Sequence, residues 1–271
     1  MDSWDGVLGG AAYPKSFSDG HLGFLFLMGR WSVRIFSACE AYVKIMHPEI
    51  IHSDNFLRDA QALIERAADT AIFERGVFRI ALSGGNTPRP VYEALAKTHA
   101  AWKKWVFTFG DERCVPPDDV QSNFRMAKES LFDHAPIPAE NILRIRGEDS
   151  PEVAASGYEA VLREQAGEAA IYRHDLVLLG MGDDGHTASL FPGTTALQES
   201  EAWVVANYVP KFDTHRITMT YPLLNAARQV CFLVNSKGKD EMLKNVFSGD
   251  FDFPCVKIRP SQGNLIWLLG A

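Results

Sequence analysis

The chain has 271 residues, 46% of them hydrophobic and 23% charged, a balance typical of a globular protein and unlike that of disordered or fibrous classes. Its formal net charge of -7 argues against a nucleic-acid partner, because a phosphate-backbone-binding surface needs clustered Lys and Arg. Any anionic ligand must therefore be held by a local group of cations.

The first 45 residues are glycine-rich and lack periodicity, so we expect an N-terminal extension of unassigned role before a domain over residues 46–271. An apolar run at residues 22–28 is too short to span a bilayer, and the acidic residues before it have the wrong charge for a secretory signal. The four cysteines show no C-x-x-C spacing, which indicates neither a zinc site nor a disulfide framework. We expect no membrane partner and a cytoplasmic location.

From residue 53 onward, apolar runs of strand length alternate with segments of helical periodicity. The first helix places Phe56, Leu63 and Ala71 on one face, with Ser53 as its expected N-cap. Further helices are predicted at residues 89–98, 122–132, 151–166 and 239–246, and strands at residues 77–82, 105–110, 141–145, 175–180, 203–209, 216–220, 229–235 and 264–269. This alternation predicts a single-domain α/β fold with an open, mainly parallel, Rossmann-like sheet and helices on both faces.

A turn with the sequence SGGNTP, residues 83–88, directly follows the first predicted strand. In open parallel sheets, ligands bind beyond the carboxyl ends of the strands. Gly84 and Gly85 let the backbone approach a ligand closely, and the amides of a turn that leads into a helix suit a phosphate. A plain tight turn explains the segment equally well, and the spacing of a P-loop is absent.

Charged residues occupy comparable positions elsewhere. An Asp-Glu-Arg triplet, residues 111–113, follows the second predicted strand and favours a ligand role for Asp111 and Arg113, although charged loop residues are usually only solvated. Arg216 opens another strand, and Lys239 lies at a junction between a loop and a helix. Cations at such positions form a local anion site on an acidic protein.

The segment GMGDDGHTASLFPG, residues 180–193, follows the predicted strand at residues 175–180 and contains His186 two residues after Asp184. Histidine is the side chain whose ordinary pKa lies nearest neutrality, so it suits general-base work on water. A lone histidine is more often structural. Here the nearby aspartate is placed to orient the ring, which favours a catalytic role.

Five segments, in this order and spacing, resemble the 6-phosphogluconolactonases. They are LSGGNTP, FTFGDERCVP, LLGMGDDGHTASLFPG, RITMTYPLLNAARQVCFLVNSKGK and GNLIWLL, and they lie between about residues 50 and 269. The run DGHTASLFP is the most specific of them. The S-G-G-x-T-P pattern is shared with glucosamine-6-phosphate deaminases and with sugar-phosphate sensor domains of similar fold.

The resemblance implies hydrolysis of 6-phospho-D-glucono-1,5-lactone to 6-phosphogluconate in the oxidative pentose phosphate pathway, without a metal or redox cofactor. His186 would deprotonate the attacking water and then help to protonate the ring oxygen, while Asp184 orients the ring or holds a sugar hydroxyl. Asp111 would contact the sugar. The residues that would hold the phosphate are Ser83, Gly84, Gly85, Thr87, Arg113, Arg216 and Lys239.

Two alternatives remain open. A glucosamine-6-phosphate deaminase or isomerase would share the phosphate site, but the segment after D-G-H typically runs I-A-F-N-E-P in that family, and Phe191 replaces its carboxylate here. A non-catalytic sensor domain would keep the phosphate site without needing His186. The expected partner is a small sugar-phosphate lactone, and the sequence leaves the oligomeric state open, with a monomer compatible with it.

Overall fold

The computed structural model describes residues 48–270, so the predicted N-terminal extension lies outside the described residues and stays a prediction. The strands in this part of the chain are β1 (Glu49–Ser53), β2 (Phe78–Leu82), β3 (Trp105–Phe109), β4 (Asp111–Arg113), β5 (Leu176–Leu179), β6 (Val204–Val209), β7 (Thr214–Met219), β8 (Gln229–Asn235) and β9 (Asn264–Gly270). The α-helices are α1 (Phe56–Arg75), α2 (Arg89–Leu95), α3 (Asn123–Ala127), α4 (Pro151–Ala166), α5 (Tyr221–Asn225) and α6 (Asp240–Ser248).

Six strands form one sheet in the order β1-β9-β8-β5-β2-β3, and every neighbouring pair in it is parallel. The central strand β5 reads LVLL, and all four of its residues are buried. Strands of a parallel sheet lose both faces to the core, so an uninterrupted apolar run is stable there. The predicted α/β fold with an open, mainly parallel sheet is confirmed.

A second, smaller sheet holds β4, β7 and β6 in that order, with both pairs antiparallel. The sequence predicts β6 and β7 as strands, but it does not predict that they leave the main sheet. The backbone amide of Met219 donates at 2.8 Å to the carbonyl of Gly110, the residue directly after β3. The small sheet therefore stands at the carboxyl end of β3, next to the edge where ligands bind.

Three local predictions are wrong in detail, and one strand is missed. Residues 141–145 form no strand, and Ile142 makes only an isolated bridge to Phe107. Strand β1 is missed because it is an edge strand whose residues are largely exposed, so it lacks a buried apolar run. Ser53 ends β1, and the N-cap of α1 is Asn55, whose side chain accepts from the amide of Arg58. The helix at residues 122–132 divides into α3 and a π-helical turn.

The chain reverses its direction of travel across the main sheet between β2 and β5. From β2 it proceeds outward to β3 on one side, and from β5 it proceeds to β8 and β9 on the other. Since β2 and β5 are neighbours, the loops that follow them diverge from adjacent carboxyl ends and leave a crevice there. None of the helices among residues 48–270 has the length and apolar composition needed to cross a membrane.

Candidate active site

All the sequence-predicted site residues follow carboxyl ends of parallel strands or lie in the small sheet beside them. Residues 83–88 follow β2, and Asp111 and Arg113 follow β3 in β4. The loop at residues 180–193 follows β5, and Lys239 follows β8. The structure therefore brings segments far apart in sequence to one edge of the sheet.

His186 is held by Asp184. The Nδ1 atom of His186 lies 2.5 Å from Oδ1 of Asp184, and the same oxygen accepts from the His186 backbone amide at 3.2 Å. Because a carboxylate only accepts hydrogen bonds, the shared proton is carried by Nδ1 in the neutral ring. The lone pair is then on Nε2, which is the atom that a general base needs.

An aromatic side chain fixes the plane of the His186 ring. Phe191 stacks against it with 4.0 Å between ring centroids and an interplanar angle of 22°. Gly182 packs on the imidazole so closely that a Cβ at this position would lie 2.0 Å from its Cε1 atom. Only glycine therefore fits at this position without displacing the imidazole, and the ring has little freedom to turn.

Several contacts fix the conformation of the loop at residues 180–193. Thr187 donates through its hydroxyl to the carbonyl of Gly180 at 2.9 Å and forms a bridge with Leu190. Between them Ala188 has a φ of 47°, a left-handed conformation that is strained for a residue with a Cβ. Strain held by surrounding bonds is typical of loops that place functional groups.

Lys211 is a residue that the sequence analysis does not identify. Its Nζ donates to Oδ2 of Asp184 at 2.9 Å, so the carboxylate lies between an imidazole and an ammonium. Partial burial acts to raise the pKa of Asp184, but the hydrogen bonds from Lys211 and His186 outweigh it and lower the pKa to about 2. No local sequence signal links residues 184 and 211, since only the tertiary fold brings the hairpin to the loop.

Two arginine side chains are neighbours on one face of the small sheet. Arg113 of β4 and Arg216 of β7 are register partners, so their side chains leave the same face of the sheet. Burial, followed by the charge of Arg113, lowers the pKa of the half-buried Arg216. Neither arginine has a carboxylate partner within salt-bridge distance among residues 48–270. Two adjacent, unpaired cations are a favourable site for an anion.

The turn after β2 packs beside this region. A Cβ on Gly84 would lie 1.9 Å from Oδ1 of Asn123, so only glycine fits there. Tyr92 braces the turn, because its hydroxyl contacts both the amide and the carbonyl of Ser83 at 3.0 and 2.9 Å. The Ser83 hydroxyl is buried and has no hydrogen-bond partner among the described residues. Thr87 is half-buried in the same turn.

Asp111 and Lys239 are engaged with the protein itself. The buried Asp111 carboxylate accepts from the hydroxyl of Ser189 at 2.6 Å and from Nδ2 of Asn123 at 3.2 Å, which joins the loop after β5 to α3. Lys239 donates to the carbonyl of Met181 at 2.5 Å. The predicted sugar contact of Asp111 and the predicted phosphate contact of Lys239 stay predictions.

Glu112 is a second residue to which the sequence analysis assigns no role. Its buried carboxylate accepts from the amides of Asn123 and Phe124 at 2.7 and 2.8 Å and from the hydroxyl of Ser122 at 3.0 Å. Burial raises its pKa, while these backbone bonds act to lower it. Glu112 therefore fastens the start of α3 to β4, which positions Asn123 against Gly84.

Comparisons with known proteins agree with this arrangement. Residues 52–267 match the family described as glucosamine-6-phosphate isomerases/6-phosphogluconolactonase. The chain belongs to this family. A 6-phosphogluconolactonase of Nostoc sp. is 44% identical over 228 residues, covering 79% of this chain and 94% of that protein.

Two other proteins extend the comparison. The chloroplastic 6-phosphogluconolactonase 3 of Arabidopsis thaliana is 33% identical over 228 residues, covering 80% of this chain and 70% of that protein. The crystal structure of the Thermotoga maritima 6-phosphogluconolactonase has a TM-score of 0.75 and 31% identity, covering 83% of this chain and all of that one. The Thermotoga protein and this chain therefore share the same fold.

Proposed function

We propose that this protein hydrolyses 6-phospho-D-glucono-1,5-lactone to 6-phospho-D-gluconate, with His186 as the general base. The observation that carries the proposal is the Asp184–His186 pair at the switch point of the sheet, with two unpaired guanidinium groups in the neighbouring small sheet. The Asp184–His186 pair would activate water, and the two guanidinium groups would hold a phosphate. A phosphorylated lactone requires both. Membership of the family supports the same reaction.

The chemistry needs no covalent intermediate. A δ-lactone is an activated ester, so the protein has only to position it and activate water. His186 Nε2 takes a proton from water as the water oxygen bonds to C1. The imidazolium then gives that proton to the ring oxygen as the bond between C1 and the ring oxygen breaks. The new carboxylic acid loses its proton to solvent, and the neutral histidine is restored.

The phosphate is assigned to the side of the crevice that carries Arg113 and Arg216. Guanidinium groups match phosphate oxygens through paired hydrogen bonds, and at this site no carboxylate competes for them. The unpartnered Ser83 hydroxyl supports the assignment, since an unsatisfied buried hydroxyl costs about 1–3 kcal/mol and a phosphate oxygen would satisfy it. Gly84, Gly85 and Thr87 complete the turn around that oxygen.

Phe191 distinguishes this reaction from deamination. A deaminase or isomerase needs further acid and base groups to open the sugar ring and move protons between carbons. In this chain Phe191 takes the place of the carboxylate expected in the deaminases. Its phenyl ring stacks on His186 and can neither donate nor accept a proton. The closely held Asp184–His186 pair equally favours an enzyme over a sensor domain, because binding alone does not need an oriented base.

We place the reaction in the cytoplasm. The cysteines among the described residues, Cys114, Cys231 and Cys255, are unpaired thiols, which a reducing compartment preserves. Relatives from Arabidopsis thaliana and Oryza sativa are named as chloroplastic, so fractionation of the source cells is the test. Recovery of the protein in plastids would overturn the cytoplasmic assignment and leave the activity assignment intact.

The direct test is hydrolysis of freshly made 6-phosphogluconolactone, coupled to 6-phosphogluconate dehydrogenase and compared with the uncatalysed rate. The wild-type protein should accelerate the reaction, and His186→Ala should lower kcat by roughly 100-fold or more with little change in KM. His99→Ala is the matched control, since His99 is exposed and lies between the end of α2 and the start of β3, toward the opposite edge of the sheet from the site. A folded wild-type protein that does not accelerate hydrolysis would refute the proposal.

A further inference from the structure

The hairpin between β6 and β7 is built to hold its tip in one conformation. Residues Pro210–Phe212 form a single 3₁₀ turn that ends at Asp213. Asp213 has a φ of 48° and a ψ of 44°, a left-handed conformation that suits Asp better than most residues. The Tyr208 hydroxyl donates to Oδ1 of Asp213 at 2.5 Å and fixes this turn. The residue that the tip presents, Lys211, therefore has a fixed backbone.

The ring of Phe212 connects the hairpin to the catalytic loop. It meets Phe191 edge-on, with 5.7 Å between ring centroids, and Phe191 stacks on His186. The Lys211 ammonium lies 5.6 Å from the centre of the Phe212 ring, and the Arg216 guanidinium lies 5.7 Å from it. One aromatic ring thus contacts both cations, one directed to Asp184 and the other to the anion site.

Lys211 occupies the oxygen of Asp184 that His186 does not use. With Oδ2 held by the ammonium at 2.9 Å, the carboxylate presents Oδ1 to the imidazole in a fixed orientation. The Lys211 side chain is 55% exposed, so the bond alone adds little to folding stability. Its consequence is geometric, because it removes a rotation of the carboxylate that would release the imidazole.

We propose that Lys211 is a positioning residue for the hydrolysis: acting through Asp184, it fixes the orientation of His186. This inference rests on the proposed function. It assigns Lys211 no contact with the lactone, so removal of the lysine should affect kcat much more than substrate binding.

The experiment compares Lys211→Met and Lys211→Arg with Lys103→Met, a control at an exposed lysine with no salt bridge among the described residues. Lys211→Met should lower kcat roughly 10-fold with KM changed less than about 3-fold, as removal of a partner behind a catalytic group typically does. Lys211→Arg keeps a cation that can reach Asp184 and should restore most of kcat, and Lys103→Met should match wild type.

Three results would overturn the inference. A raised KM with unchanged kcat would make Lys211 a substrate contact. A lowered kcat that Lys211→Arg does not restore would make Lys211 merely structural, and wild-type values in Lys211→Met would give it no role. Circular dichroism and the Tm of each variant verify that it is folded. The proposed function fails separately, by the absence of lactone hydrolysis in the wild-type protein.

Discussion

The two edges of the parallel sheet carry similar side chains in opposite states. At the amino edge, Asp175 is only 3% exposed and accepts from Arg75 at 2.9 Å and from the backbone amide of Arg79 at 2.8 Å, with Nε of Arg228 at 3.3 Å. At the carboxyl edge, Arg113 and Arg216 face each other with no carboxylate between them. The first cluster contains a carboxylate that the arginines contact, whereas the second has no carboxylate within salt-bridge distance among residues 48–270.

The histidines also differ between the two edges. His174 is fully buried just before β5, with Nε2 2.9 Å from the hydroxyl of Thr108, and burial followed by the charge of Arg79 lowers its pKa to about 3. His186, after β5, is 25% exposed and paired with a carboxylate. The comparison teaches that residue type alone does not identify a candidate site, and that position at the carboxyl edge of the sheet, where ligands bind, separates the two histidines.

The largest effect expected from this contrast is acid lability caused by His174. In the unfolded chain it titrates near its ordinary pKa of 6.5, but in the folded protein it stays neutral down to about 3. As the pH falls below 6.5, only the unfolded state binds the proton, so the free energy of unfolding drops by up to about 1.4 kcal/mol per pH unit.

Urea unfolding at several pH values between 4 and 7 measures this slope, and His174→Gln should reduce it whatever its effect on stability at pH 7. Gly157→Ala, on the exposed surface of α4, alters no titrating group, so it is the control and should retain the wild-type slope. An unchanged slope in His174→Gln would show that other groups cause the acid lability.

A smaller effect is expected at the two arginine clusters. Arg216→Ala should raise KM for the phosphorylated lactone roughly 10- to 100-fold, the loss expected for a hydrogen bond to a charged group, and hardly affect unphosphorylated glucono-1,5-lactone. Arg228→Ala, at the amino edge, should lower the Tm and leave both KM values unchanged. If Arg216→Ala impaired both lactones equally, the phosphate assignment would be wrong.

The smallest effect is expected from one methyl group at a glycine. Gly182→Ala forces a Cβ against the His186 ring and should lower kcat on the order of 10-fold, since displaced catalytic groups lose alignment with the substrate. Gly157→Ala, in the exposed surface of α4 with open space around it, should leave kcat unchanged and raise the free energy of unfolding by about 0.5–1 kcal/mol. Unaltered kcat in Gly182→Ala would mean that the ring is not fixed by this contact.

The sequence alone predicts seven of the nine strands in the described part of the chain, because β2, β3, β5, β8 and β9 are apolar runs and β6 and β7 have strand composition. It does not predict β4, which consists of three charged residues, or β1, which is an exposed edge. Both are strands only because of their partners, β7 and β9. Pairing across the chain, and not local composition, decides such elements.

The candidate site shows the same division. Glycine turns and charged residues after predicted strands are visible in the sequence, because a parallel sheet places every carboxyl end at one edge. The sequence therefore determined the fold class, the edge that carries the site, and the pairing of His186 with an aspartate two residues away. Tertiary structure alone decided that Arg113 faces Arg216, that Asp111 braces Ser189, and that Lys211 reaches Asp184. These contacts join residues that are 103, 78 and 27 positions apart, and the free energy of such pairs depends on distances that only the packed fold sets.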